Sequence, residues 1–214
     1  MTERPTILLV HGAWHGSWCW DDVAGKLRDS GFKVIAVDLP GHHKPGRSRR
    51  NWKRMSDYVA HVQGVVHRIE GDVVLVGHSM GGLVSQILLE DVQVHHAVLV
   101  ASIPRKGVGG ALARLVQYDP VQVIEAAKSL SLWPMVATDE RVRHHFFKDG
   151  VSEAVVQAAG AKMQNESVVA FADAYGVPLI EIDCGHDIML EPQHGELVDI
   201  IIERGGPRPS LGTV

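Results

Sequence analysis

The sequence predicts an α/β fold: a mostly parallel central sheet of about five strands with helices on both faces, and a helical lid above it. Three observations carry this expectation. Short apolar runs alternate with amphipathic stretches through the first hundred residues. One of those runs, VVLV at 73–76, turns sharply through Gly77-His78-Ser79-Met80-Gly81 into a helical stretch, LVSQILLE. Residues 104–176, finally, hold several helical patterns and no convincing strand. Strand–helix alternation implies parallel pairing with right-handed crossovers, and continuous apolar strands belong to a sheet covered on both faces.

The elements follow in order. Residues 6–10 (TILLV) form the first strand, ended by the small-residue loop 11–16. Residues 20–30 read as a helix closed by Gly31, and 33–38 (KVIAVD) as the second strand. Helical spacing over 55–70 puts Tyr58, Val59, Val62, Val65, Val66 and Ile69 on one side. After the strand and helix around Ser79, residues 97–102 (AVLVAS) form the fourth strand. Within the insertion, helical stretches fall at 111–117, 121–130, 139–147 and 152–161; a last strand follows at 177–182 and a last helix at 195–204. The Pro/Gly-rich tail, 205–214, is expected to be disordered.

Bulk properties narrow the class. With 214 residues, 45% hydrophobic and 21% charged, the chain reads as one globular domain spanning 1–214. A net charge of −4 argues against a general nucleic-acid binder. No cationic apolar leader opens the chain and no apolar run approaches a membrane span. The two cysteines, Cys19 and Cys184, form no disulfide framework, so a reduced, cytoplasmic protein is the expectation. The pairs His95-His96 and His144-His145 lack zinc-ligand spacing, and no metal or cofactor is expected. The basic stretch from His42 to Arg54 reads as a solvated loop.

The turn at Ser79 carries the chemistry. Gly-x-Ser-x-Gly between a strand and a helix is a nucleophile elbow, in which the serine sits on a strained turn with its hydroxyl above the sheet. A serine hydroxyl needs a positioned base. His186 stands after the final strand, where an open α/β sheet presents its ligand crevice, and follows the serine in chain order. Donors for a tetrahedral oxyanion are expected from the N–H of Met80 and from Ala13 in the loop after the first strand. Trp14 and His78 are candidate walls of the substrate pocket; Trp18, Trp20 and Trp133 serve that reading or core packing equally.

These segments, VHGAWHGSWCW (10–20), VDLPGH (37–42), VGHSMGG (76–82) and IDCGHDIMLEPQ (182–193), resemble the α/β-hydrolase superfamily. Within it they are similar to the esterase/lipase branch that includes plant methyl esterases and hydroxynitrile lyases. The resemblance implies Ser79 as nucleophile, His186 as base, Ala13 and Met80 as oxyanion-hole residues, and no cofactor. It points to hydrolysis of small to medium carboxylic esters. Cyanohydrin cleavage, acyl transfer on the same site, or a binding-only homologue are the alternatives.

One departure stands out. The strand-and-helix unit that normally carries the triad acid before the final strand is missing, since a unit of about 30 residues has no room between the insertion and residue 177. Asp183 is the favoured acid. Asp38 is expected to cap its own turn, and Asp173 to lie about 20 Å below the crevice. Asp187, Asp119, Asp139, Glu140, a second chain, or a Ser–His dyad remain open; losing the orientation of the base costs about 10⁴ in rate. A sheet shortened by a strand exposes an edge, which suggests a homodimer.

Overall fold

A computed structural model describes residues 4–42, 51–104, 119–173, 188–190 and 194–205. Among the described residues the sheet has four parallel strands, β1 (Thr6–Val10), β2 (Val34–Val37), β3 (Val73–His78) and β4 (His96–Val100), in the order β2-β1-β3-β4. The central pair is in register from Thr6 opposite Val73 to Val10 opposite Gly77. That register brings the loop after β1 beside the turn after β3.

Strand residues alternate between faces, and both faces are apolar because both are covered. Leu8, Val10 and Leu75 pack with Tyr58 and Val62 of α2 (Met55–Val66) and with Leu83, Val84 and Leu88 of α3 (Met80–Leu88). Ile7, Leu9, Val74 and Val76 pack on the opposite face. Their partners there are Val23 and Leu27 of α1 (Asp21–Asp29) and Leu197 and Ile201 of the last helix (His194–Arg204). The α/β reading, with helices on both faces, is thus what the chain adopts.

Element ends differ from the sequence reading for local reasons. Helix α1 stops at Asp29, where Gly31 takes a left-handed φ of 85° and Phe32 N–H bonds back to Leu27 O at 3.1 Å. Helix α2 ends at Val66, because Arg68 and Ile69 bond three residues back, to Val65 and Val66, in a tightened last turn. Asp38 leaves β2 to accept a hydrogen bond from Ser17 N at 2.6 Å, so it holds another loop and does not cap its own turn.

The described insertion, 119–173, is helical: α4 (Pro120–Ser129), a 3-10 turn (Trp133–Val136), α5 (Asp139–Phe146), α6 (Glu153–Lys162) and α7 (Val168–Ala172). With these introduced, His194–Arg204 is α8. The insertion has its own core of Met135, Val142, Phe146, Val156 and Met163, onto which Trp14, Trp18 and Leu190 pack. Gly205, taken from sequence as the start of the tail, closes α8 by donating its N–H to Ile201 O at 2.9 Å. The expected helix at 111–117, the strand at 177–182 and the tail at 206–214 lie outside the described residues.

Candidate active site

The turn between β3 and α3 is drawn tight by glycines. A Cβ on Gly77 would strike Ser85 Oγ and come within 2.5 Å of Gly81 O, and one on Gly81 would strike His11 O and reach 2.5 Å from Val10 O. Strand, helix and the loop after β1 therefore meet without room for a methyl group. At the apex Ser79 has φ 50° and ψ −115°, a conformation an L-residue holds only when its surroundings impose it. Here the backbone bonds impose it: Ser79 N donates to Val100 O at 2.9 Å, and Ser79 O accepts from Ile103 N at 3.0 Å and Gly82 N at 3.0 Å. Serine at a helix N-cap ordinarily bonds back to its own helix. This one makes no capping bond, so the strain turns its hydroxyl away from the backbone it would otherwise satisfy.

Met80 and the loop that carries Ala13, the residues expected from sequence to supply oxyanion donors, border this turn. Met80 is the first residue of α3, so its N–H has no partner inside the helix. On the other side, a Cβ added to Gly12 would sit 2.9 Å from Ser79 Cβ, which places the 12–14 loop in contact with Ser79. The Gly12–Ala13 peptide is held by its oxygen: His11 Nδ1 donates to Gly12 O at 2.8 Å and His15 N at 3.4 Å. In a trans peptide the N–H points opposite to the C=O, so fixing Gly12 O aims the Ala13 N–H. Leu39 N donates to His11 Nε2 at 3.0 Å, which fixes the imidazole as the neutral Nδ1–H form. Burial, with the charge of His42 adding to it, pushes His11 well below the ordinary histidine range and agrees with that tautomer.

Trp14 follows in a left-handed conformation, φ 62°. Its indole Nε1 donates to Leu132 O at 3.1 Å and its ring packs edge-on to Phe146, 5.7 Å between centroids. His78 is wholly buried, between the rings of His15 (6.1 Å) and Trp20 (6.4 Å). Trp20 belongs to the sheet core, whereas Trp18 is half-buried, stacked on His15 at 5.3 Å beneath Lys162 Nζ.

The candidate base His186 and the favoured acid Asp183 lie outside the described residues, as does Asp187. The described turn Ile188–Leu190 packs against Ser17–Trp20, with Met189 fully buried. Other carboxylates are engaged elsewhere. Asp119 caps α4 through Gln122 N at 3.2 Å, and Asp139 and Glu140 are exposed on the first turn of α5. Asp173 accepts from Met55 N at 3.3 Å and pairs with Arg54 at 3.5 Å. It therefore sits at the start of α2, tied to the loop leaving β2 at the carboxyl edge of the sheet, not about 20 Å below it.

What sequence reasoning missed is a buried polar cluster behind the 12–14 loop. Glu166 is 1% exposed and its two oxygens receive four donors. His42 Nε2 lies 2.9 Å from Oε2, and Trp14 N donates to the same oxygen at 3.3 Å. Tyr58 Oη donates to Oε1 at 2.8 Å and Ser167 N at 2.6 Å. Burial alone would neutralise this carboxyl, but the His42 charge and the hydrogen bonds from His42, Ser167 and Tyr58 together outweigh it and hold Glu166 below the usual carboxylate range. Burial likewise lowers His42, and the Glu166 charge and hydrogen bond, with backbone acceptors at Pro40 and Leu39, together overcome that and leave the imidazole raised. His42, read as part of a solvated basic loop, is instead 1% exposed and faces inward. The available signal was Tyr58 on the apolar face of α2, whose phenol must find a partner when buried.

The sequence profile of an alpha/beta hydrolase family matches residues 7–171, which take in the elbow, the 12–14 loop and most of the insertion. The chain belongs to that family. This family member is 28% identical to salicylic acid-binding protein 2 of Nicotiana tabacum over 151 residues, covering 69% of the chain and 58% of that protein. It is 41% identical to the carbendazim hydrolyzing esterase of Nocardioides sp. over 81 residues, 36% of the chain and 32% of that enzyme. The chain thus spans less than two thirds of the length of either relative. Among solved structures, polyneuridine aldehyde esterase superposes with a TM-score of 0.68 at 18% identity, covering 95% of this chain and 100% of that one. An extracellular alpha/beta-hydrolase from a Paenibacillus species gives 0.65 at 21%, covering 80% and 71%. These two share the fold.

Proposed function

We propose that this chain is a carboxylic ester hydrolase working through an acyl-enzyme on Ser79. The observation that carries the reading is the elbow. A serine is held at positive φ without capping its own helix, with Gly12 against its Cβ, and the peptide N–H groups of Ala13 and Met80 are the donors this arrangement offers it. Ser79 Oγ attacks the ester carbonyl, and the two N–H groups stabilise the oxyanion that forms. His186 takes the serine proton and returns it to the leaving alkoxide; water then repeats the sequence on the acyl-enzyme. Several relatives carry esterase names, such as the methyl jasmonate esterase of Vitis vinifera, which supports small-molecule esters as the substrate class. Asp183 is the proposed orienting acid, supported by the engagement of the described alternatives, Asp38, Asp119 and Asp173, with backbone groups. The test is reaction with a fluorophosphonate probe and turnover of p-nitrophenyl acetate. Labelling lost in Ser79→Ala and turnover lost in His186→Ala are expected; a folded protein that neither labels nor turns over refutes the reading.

A further inference from the structure

We infer that Glu166 is a positioning residue for this chemistry, fixing the oxyanion-binding peptides of the 12–14 loop from the helical insertion; the inference rests on the hydrolase reading above. The Ala13–Trp14 peptide is clamped at both ends. Its oxygen accepts from His15 Nδ1 at 2.7 Å, and its N–H donates to Glu166 Oε2 at 3.3 Å. The next peptide is held as well, since Trp14 O accepts from Gln164 N at 2.8 Å. Trp14 is thereby kept at φ 62°, where a non-glycine residue does not stay unaided. The orientation of the Ala13 N–H depends on that anchored residue next door.

The carboxylate is suited to this role because it is itself immobile. Tyr58 Oη (2.8 Å) and Ser167 N (2.6 Å) fix Oε1, while His42 Nε2 (2.9 Å) shares Oε2 with Trp14 N. Gln164 Nε2 donates to His42 O at 2.7 Å, so residues 164–166 hold both the loop after β1 and the loop after β2. Every group facing Glu166 is a donor, which demands two acceptor oxygens. A glutamine offers one, and its amide hydrogens would oppose two of the four donors. An aspartate keeps the charge but falls one methylene short of Trp14 N.

Donors aimed at a developing oxyanion act in the transition state more than on bound substrate. Glu166→Gln and Glu166→Asp are therefore expected to lower kcat for p-nitrophenyl acetate by about 10- to 100-fold with KM within about twofold. Affinity for an aryl trifluoromethyl ketone, which forms a tetrahedral adduct on the serine, is expected to weaken by the same factor as kcat/KM. Affinity for the acetate product stays unchanged. Folded variants with wild-type kcat overturn the inference. So does a loss in which substrate, product and ketone affinities fall together, or a failure of both variants to fold, because either assigns the carboxylate to structure alone. If the wild-type chain itself shows no esterase turnover, it is the hydrolase reading that fails, and the two failures are distinct.

Discussion

At the scale of single residues, the site stores strain that the backbone around it sustains. Ser79 at φ 50°, ψ −115° occupies the region a glycine adopts freely. Ser79→Gly is expected to abolish fluorophosphonate labelling while stabilising the fold by about 1 kcal/mol, raising Tm by about 2–4 °C. An unchanged or lower Tm would show that the turn carries no such strain. Gly12 and Gly25 make a contrasting pair. A methyl on Gly12 meets His78 Nδ1 at 2.8 Å and Ser79 Cβ at 2.9 Å, while one on Gly25 meets nothing within 4 Å. Gly12→Ala should cost about 1–3 kcal/mol and reduce ester turnover at least tenfold by displacing the 12–14 loop from Ser79. Gly25→Ala, inside α1, should add about 0.5–1 kcal/mol and leave turnover intact. Thermal melts with a p-nitrophenyl acetate assay on both variants decide it, and equal effects would contradict the packing account.

At the scale of elements, the strands and the elbow were legible because their signals are local. A run such as TILLV or VVLV specifies a buried parallel strand within a few residues, and Gly77 is demanded by contacts inside the turn itself, with Ser85 and Gly81, while Gly81 also faces the carbonyls of Val10 and His11. Helix ends were less legible, since the left-handed Gly31 and Leu130 and the tightened turn after Val66 depend on the capping geometry each end settles into. The Glu166–His42–Tyr58 cluster was not legible: its members are 108 and 124 residues from Glu166 in sequence, and only the docking of the insertion brings them together. That docking runs through Trp14, whose ring joins the insertion core at Phe146 while its backbone belongs to the loop that packs on Ser79. Truncating a buried residue of that core should therefore be felt at the site. Met163→Ala, at a position 1% exposed, is expected to cost about 2–4 kcal/mol. Amide exchange should quicken in α5 and α6 and at Trp14 while β1 and β3 keep their protection. Exchange that quickens evenly through the sheet would mean that the insertion and the sheet unfold as one unit.

At the scale of the whole molecule, His11, His42 and Glu166, buried around the two loops that leave β1 and β2, make stability a function of pH with a definite shape. His11 is held well below its ordinary value by burial, then by the His42 charge, so it stays neutral when folded. Below about pH 6.5 the unfolded chain gains a proton that folded His11 refuses, and stability falls as pH falls. His145 and His61, both lowered chiefly by burial, act in the same direction. His42 behaves oppositely. Its raised folded value means that its contribution is complete below about pH 6.5 and is lost as pH rises through that folded value. Glu166, lowered, contributes above the ordinary carboxylate range and loses that contribution only as pH falls through its own folded value. The sum is a maximum near pH 6.5, the acid flank falling by up to about 1.4 kcal/mol per pH unit through His11 and the alkaline flank by as much through His42, while the more exposed His61 and His145 add less. In Glu166→Gln the His42 imidazole loses the Glu166 charge and keeps burial, its largest influence, opposed only by the backbone acceptors at Pro40 and Leu39, so its raised value falls. The alkaline flank should then vanish, and stability should rise with pH to a plateau above about pH 7. Urea unfolding midpoints from pH 5 to 8 for both proteins test this. A wild-type profile without an alkaline decline, or a decline that survives in the variant, would show that the buried pair does not carry the charge assigned to it.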